Sequence, residues 1–400
     1  MKSYKPKVLL LLIALFVAHF NYAQDSIPLS LSTAIDMALS KNIDITMADY
    51  QVNTLEYAMK EVNGSFLPKL FVNANYNRNI NQPVIFLPEG FGMGGPTKLG
   101  SNNDYRAALN LAQPIYSHFN INNKKLMENR FSYQNEIRRE TRQKVVNATK
   151  KSYFNYLIAQ EIVKVQKTQL ENAEQTLLDI EKRRRLGTLT DYDYTAAKAQ
   201  FTQAKSSLLE AQSTIMPLAN SLKLMLGLKM GDNLKLTKPV ELLQNELVLE
   251  VNPTKVLTEN STLRQLELDI EVKENQITLA KSAFFPTLDA VGVYNYQAQA
   301  DDFRLSEYQW VNTSYVGLQL QVSIFNGNIT KNKIQQAKIA KYISEDQREY
   351  TTEALQMQHQ ELLSHLDFSK QKIEVQLENM ELTEEALRLA NKRYELVVFL

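Results

Sequence analysis

The chain says the same thing twice. Ser65-Phe66-Leu67-Pro68-Lys69-Leu70 returns as Ala283-Phe284-Phe285-Pro286-Thr287-Leu288, and Tyr76-Asn77 returns as Tyr294-Asn295, about 210 to 220 residues later. Leu109-Asn110-Leu111-Ala112-Gln113-Pro114-Ile115-Tyr116 returns as Leu318-Gln319-Leu320-Gln321-Val322-Ser323-Ile324-Phe325. Each copy reads as helix, strand, loop, strand and then a very long helix. So much helix beside so few strands makes the fold α+β, and it poses one question: what pairs with the strands.

Four segments alternate with period two, so each carries two distinct faces. Leu70, Val72, Ala74 and Tyr76 oppose Phe71, Asn73, Asn75 and Asn77. Tyr105, Ala107, Leu109 and Leu111 oppose Arg106, Ala108, Asn110 and Ala112. Leu288, Ala290, Tyr294 and Tyr296 oppose Asp289, Asn295 and Gln297; Val316, Leu318, Leu320 and Val322 oppose Gln319, Gln321 and Ser323. One apolar face and one amide-rich face is the pattern of a membrane β-barrel, lipid outside and water inside. On this reading Leu70, Val72, Tyr76, Leu109, Leu111, Tyr294, Val316, Leu318 and Leu320 face lipid. Asn73, Asn75, Asn77, Arg106, Asn110, Asn295, Gln297, Gln319 and Gln321 face the lumen. Tyr76, Tyr105, Tyr294, Tyr296 and Tyr315 suit an interfacial girdle. A soluble sheet with one face on a core gives the same alternation in a single strand. The pairing of strands across long polar loops, residues 79–103 and 299–312, behind an export leader favours the barrel.

Four strands do not close a barrel, the smallest of which have about eight. An open sheet in hydrocarbon leaves edge amides unpaired at several kcal/mol each. The barrel is therefore expected to be shared, and three copies supply about twelve strands, which makes a homotrimer the simplest solution.

Between Ser117 and about Arg185 there is neither proline nor glycine, enough helix to span roughly 100 Å. Val163, Gln166, Leu170, Ala173, Leu177 and Ile180 recur in steps of three and four, and so do Ala197, Phe201, Ala204, Leu208, Ala211, Ile215 and Leu218. This is the seam of an antiparallel coiled-coil hairpin. Gly187 ends its first helix, and Thr190 or Asp191 caps the second. The expected order is a leader over 1–23, a helix over 24–64, a strand pair over 65–116, a helical hairpin over 117–228 and a linker over 229–253. A helix over 254–282, a strand pair over 283–325 and a long helix over 326–400 follow.

Lys2, Lys5 and Lys7 precede an apolar run from Val8 to Phe20, with Ala23 as a small residue for cleavage. The alternative is a retained anchor, for which the run is short of ~20 residues. Removing the three lysines leaves 42 basic against 44 acidic residues, a balance with no electrostatic pull toward nucleic acid. There are no cysteines, so disulfide and thiol chemistry are excluded.

Together these residues resemble the TolC-like outer-membrane efflux proteins, over nearly the whole chain. The resemblance rests on Leu29-Ser30-Leu31-Ser32-Thr33-Ala34-Ile35-Asp36-Met37-Ala38-Leu39, the two Phe-Pro joints, Ser323-Ile324-Phe325-Asn326-Gly327, and the turn from Arg183 to Asp193. It implies a trimer with a β-barrel in the outer membrane of a Gram-negative bacterium and an α-helical tunnel in the periplasm. It also implies docking to a periplasmic adaptor and an inner-membrane transporter through a tip made of Arg183, Leu186, Gly187, Thr188, Leu189 and Thr190. Lys392-Arg393-Tyr394-Glu395-Leu396 aligns with Lys182-Arg183-Arg184-Arg185-Leu186, which sets Val397 where Gly187 stands. The sequence then stops at Leu400, so the return helix of a second hairpin, which in the family helps form the gate, is expected to be missing.

No enzyme chemistry or cofactor is expected. His359 and His365 are six apart on a helix and poorly placed as ligands, so they read as solvated. Gly90-Phe91-Gly92-Met93-Gly94-Gly95-Pro96-Thr97-Lys98 lacks the ending of a phosphate loop and reads as an external loop. In that loop, Val84-Ile85-Phe86-Leu87 is expected at the pore mouth or against a neighbouring chain. Asp191 and Asp193 read as helix caps; the sharper alternative is a ring, repeated by symmetry, that filters cations or holds the entrance shut through Arg183 or Arg185. The expected function is a passive exit duct. Its rivals are a periplasmic coiled-coil scaffold and a nonfunctional truncated product.

Overall fold

The computed structural model describes residues 27–87, 95–237 and 258–398. The expected leader, most of the glycine-rich run and the end of the linker lie outside them. The chain divides into two compact units, Met1–Asn53 with Ile137–Val251 and Thr54–Glu136 with Asn252–Leu400. In order, the elements are β1 (Ile27–Leu29), α1 (Leu31–Lys41), α2 (Ile43–Gly64), β2 (Lys69–Arg78), β3 (Val84–Leu87), β4 (Gly95–Lys98) and β5 (Asn103–Ser117). Next come α3 (His118–Arg185), α4 (Asp191–Met225), β6 (Leu234–Leu236), α5 (Ser261–Lys281), β7 (Thr287–Ala300), β8 (Val311–Gln321) and α6 (Ile329–Val398). None of the described helices is long and apolar enough to cross a membrane.

The first unit is held by a core of Leu29, Ala34, Ala38, Ile45, Val145, Tyr153, Tyr156, Leu157, Leu222 and Leu226. Ala34 and Ala38, four apart on α1, present the helix at close range; Leu222 and Leu226 do the same on α4. Full burial of each leucine stabilises by roughly 1.5–3 kcal/mol. Ser30 caps α1 by accepting from the Thr33 amide at 3.1 Å. The single helix expected over 24–64 is instead two, broken at Asn42. The buried Asn42 carboxamide accepts from the Asp44 amide at 2.8 Å and donates to the Met225 carbonyl at 3.0 Å, so it starts α2 and closes the end of α4. The sequence pattern also missed a short parallel ribbon, in which Ile27 to Leu29 pair with Leu234 to Leu236.

Along α3 the residues at 163, 166, 170, 173, 177 and 180 are partly buried between exposed neighbours. On α4, Ala197 is buried, and Phe201, Ala204, Leu208, Ala211, Ile215 and Leu218 are partly so. The small-large alternation thus forms a seam.

The second unit carries an antiparallel sheet in the order β2-β5-β7-β8. β5 runs on past Pro114, and its register with β7 shifts between Pro114 and Tyr116, where proline offers no amide to the ladder. β8 stops at Gln321, short of the expected Val322 and Ser323. The joints are sealed by side chains: Gln113 donates to the Phe66 carbonyl at 2.8 Å, and Asn120 to the Ser65 carbonyl at 3.1 Å. His118 stacks on Phe285 with centroids 3.8 Å apart, and its Nδ1 is 2.9 Å from Ser282 Oγ. Ser344 on α6 donates to Asp269 on α5 at 2.7 Å, tying those helices together. The loop expected between β2 and β5 contains a small hairpin, β3 with β4. α6 continues through Val397, the position that aligns with Gly187 at the end of α3.

Candidate functional site

Register decides which residues share a face of the sheet. Val72, Leu109, Tyr294 and Ser314 form one cross-strand row, and Leu70, Leu111, Gly292 and Val316 the next. Tyr76, opposite Tyr105, joins the same face; so do Leu318, opposite Ala290, and Leu320, opposite Leu288. The other face carries Asn73 against Ala108 and Asn295, Asn75 against Arg106 and Gln297, and Asn77 against Asp104. Asn110, Gln319 and Gln321 lie there too. This second face is mixed rather than purely polar, since Asn110 sits in a row with Phe71, Val293 and Tyr315. Tyr315 is therefore on the wrong face for the expected girdle. Along β7, Val293, Asn295 and Gln297 are partly buried while Tyr294 and Tyr296 are exposed.

At the loop end of the apolar face the aromatics gather. Tyr76 stacks on Tyr105 at 4.9 Å, and Tyr296 on Trp310 at 4.9 Å. Trp310 was missed because no alternation marks it. Beside them, fully buried Asn103 accepts from Tyr76 Oη at 3.0 Å and Arg78 at 2.7 Å, and donates to the Asp302 carbonyl at 2.8 Å. The Asn102 amide donates to Asp301 at 2.7 Å. Asn103 thus clamps one loop to the other.

The hairpin tip is built from two complementary caps. Gly187 has φ of +73°; its amide donates to the Arg184 carbonyl at 2.9 Å, and the Thr188 amide to the Arg183 carbonyl at 3.0 Å. That Schellman pattern satisfies the last carbonyls of α3. Thr190 then accepts from the Asp193 amide at 3.3 Å, and the Thr190 amide donates to the Asp193 carboxylate at 2.8 Å, a capping box. The Thr190 hydroxyl and amide, donating to Asp193, hold its carboxyl below the usual range. A carboxylate depressed on folding contributes stability at neutral pH and loses it as pH falls through the depressed value.

The expected entrance ring through Arg183 or Arg185 is a feature of several copies; within one chain, the cation beside Asp191 is Arg184. Arg184 reaches across the turn to Asp191 at 2.7 Å and lies over the Tyr194 ring at 4.6 Å. Arg183 pairs with Asp179 at 3.2 Å and Arg185 with Glu181 at 2.6 Å, one turn back on their own helix. Partners four residues apart share a helix face, as the Arg183 and Arg185 pairs do, whereas the ion pair of Arg184 crosses to the return helix. Leu186 and Tyr192 are each 79% exposed, with Leu189 partly buried between them in sequence; Tyr192 is a tip residue that the sequence pattern did not single out. On α6, His365 is exposed and 3.7 Å from Glu361, whereas His359 is half-buried rather than solvated.

The outer membrane efflux protein family matches this sequence over residues 34–228 and 252–396. The chain belongs to that family. Among individual members, outer membrane protein TolC of Vibrio cholerae is 22% identical over 278 residues, 68% of this chain and 62% of that protein. The chain thus aligns with less than two thirds of the curated relative's length. Among solved folds, CusC superposes with a TM-score of 0.64 at 18% identity, over 82% of this chain and 73% of that one. The Campylobacter jejuni CmeC outer membrane channel gives 0.63 at 18% identity, over 80% and 67%. At such identities these likenesses carry the fold. As in those efflux-protein folds, the chain is mostly helical with one larger sheet.

Proposed function

We propose that three copies of this chain build a passive exit duct in the outer membrane of a Gram-negative bacterium, serving a tripartite efflux or type I secretion system. The single observation that supports this most is the sheet itself. β2 and β8 are its edges and have no partner strand among the described residues, while one of its faces is mostly apolar, from Leu70 and Leu320 to Tyr76 and Tyr296. Such a sheet is unstable in lipid until neighbours cover the edges, because each unpaired amide there costs several kcal/mol. Pairing β8 of one copy with β2 of the next answers this and closes a cylinder of about twelve strands. The apolar residues from Leu70 to Leu320 then meet lipid, and the amide-bearing face lines the passage.

The absence of native cysteine makes the test simple. Val72→Cys is combined in turn with cysteine at Asn312, Ser314, Val316 and Leu318, and outer membranes are oxidised. One register is expected to yield covalent dimers and trimers on denaturing gels. Within one chain β5 and β7 stand between the two positions, about 14 Å at normal strand spacing, beyond disulfide reach. Monomers alone in every register, or recovery of the chain as a soluble periplasmic species, would replace the duct with the scaffold reading.

The tip is the proposed meeting point with a periplasmic adaptor coupled to an inner-membrane transporter. Leu186 and Tyr192 present exposed apolar surface on a turn fixed by two caps, a pre-organised feature with little entropy left to lose on docking. Leu186→Glu with Leu189→Glu is expected to abolish export while trimers still reach the outer membrane. Unchanged export from normally assembled trimers would place docking elsewhere.

A further inference from the structure

Two cations share a groove in the sheet-bearing unit with no carboxylate to answer them. The groove holds about 540 Å³ and lies among the first turns of α3, the end of α5 and the start of α6. Phe119, Leu126, Leu279 and Phe285 give it apolar walls; Arg130 and Lys333 stand over them. Neither cation has an ion pair or hydrogen bond among the described residues, and no Asp or Glu lines the groove. Arg130 is half-buried, so part of its hydration has been removed without a compensating partner.

The groove also has a definite side. Thr287 and Gln321 close it toward the sheet. They pair with each other across β7 and β8, in step with Asp289 opposite Gln319 and out of step with Leu288 opposite Leu320. The groove therefore opens on the amide-bearing side, which the exit-duct reading assigns to the passage.

We propose that this groove is a binding site for anionic amphiphiles in the wall of the duct. An apolar body lies against Phe119 and Phe285, and a carboxylate or sulfonate sits between Arg130 and Lys333. Three such sites would ring the passage in a trimer and concentrate cargo of that charge at the sheet end. The transport role rests on the exit-duct reading; the binding does not, since one chain supplies every wall. A volume of this size falls within the range of small-molecule sites, and arginine is suited to gripping a carboxylate through two donors at once.

The test is isothermal titration calorimetry of the full chain in a neutral detergent, with decanoate and decyltrimethylammonium as probes of one chain length and opposite charge. The wild type is expected to bind decanoate in preference. Arg130→Gln with Lys333→Gln should weaken decanoate about tenfold or more, the scale of losing charge-assisted hydrogen bonds, at an unchanged melting temperature. Arg130→Glu with Lys333→Glu should turn the preference toward the ammonium; if that pair does not fold, the glutamine pair decides. Equal binding of both probes by the wild type, or full decanoate affinity in the glutamine pair, overturns the site. The cysteine ladder separates this from the duct: a ladder without decanoate binding removes the groove alone, and binding without a ladder removes the duct alone.

Discussion

Leu109→Arg is expected to eliminate assembled trimers from the outer membrane, while Asn110→Arg leaves them in place. The two residues are neighbours near the middle of the fifteen-residue strand β5, so their distance from either end of the sheet is nearly the same. They differ in face. Leu109 lies in a row with Val72, Tyr294 and Ser314, whereas Asn110 lies with Phe71, Val293 and Tyr315. An arginine on the lipid side near the bilayer midplane costs about 2–4 kcal/mol per chain, and threefold symmetry multiplies it to roughly 6–12 kcal/mol per trimer, comparable with the stability of a whole domain. The same side chain on the luminal side reaches water. Unheated gel mobility and outer-membrane fractionation read the result. Equal tolerance of both substitutions would mean that neither face meets lipid, and equal loss would mean that the strand does not tolerate bulk on either side.

The faces were legible in the sequence because period two is local: four or five residues suffice to reveal it, and the antiparallel register then carries it across all four strands. The helix-to-strand joints were legible for the same reason, since Pro68 and Pro286 interrupt the backbone where they stand. What stayed hidden depends on distant groups. Nothing near Asn42 announces that α1 ends there, because the carbonyl it satisfies belongs to Met225, 183 positions away. Three-residue strands such as β1 and β6 are too short to show a period and are parallel, so no hairpin turn betrays them. The tip was legible as a turn but not as a clasp. Which arginine faces Asp191 depends on the helical phase at Arg184 and on the left-handed step at Gly187, and counting charges near the turn does not resolve that phase. Trp310 and Asn103 escaped for a third reason: they act where two loops meet, each with partners from both strand pairs.

Gly227→Ala is expected to be among the most disruptive small substitutions in the first unit, and Gly187→Ala a mild one, although both glycines close a helix in the same way. Gly227 has φ of +63° and Gly187 of +73°. At each, the amide two residues past the cap reaches back to a carbonyl in the last turn: Leu228 to Lys223 at 2.9 Å, and Thr188 to Arg183 at 3.0 Å. An alanine in this conformation carries about 1–2 kcal/mol of strain in either place. Only Gly227 is also crowded. A Cβ there would stand 2.6 Å from the Lys41 carbonyl oxygen and 2.9 Å from Lys41 Cβ, whereas one at Gly187 meets nothing within 4 Å. Lys41 has little room to retreat. It is the last residue of α1, and the next residue, Asn42, is pinned to Met225 through its side chain. Forcing the two helix ends apart would break that hydrogen bond and pull Leu222 and Leu226 from the core they share with Ala34 and Ala38. Overpacking of this kind adds about 1–3 kcal/mol, so Gly227→Ala should lose roughly 2–5 kcal/mol in all against about 1–2 kcal/mol for Gly187→Ala. Thermal melts by circular dichroism in neutral detergent should separate them at about 2–4 °C per kcal/mol. Equal melting temperatures for the two variants would show that the contact between α1 and the end of α4 yields without cost, and that the caps alone set the stability there.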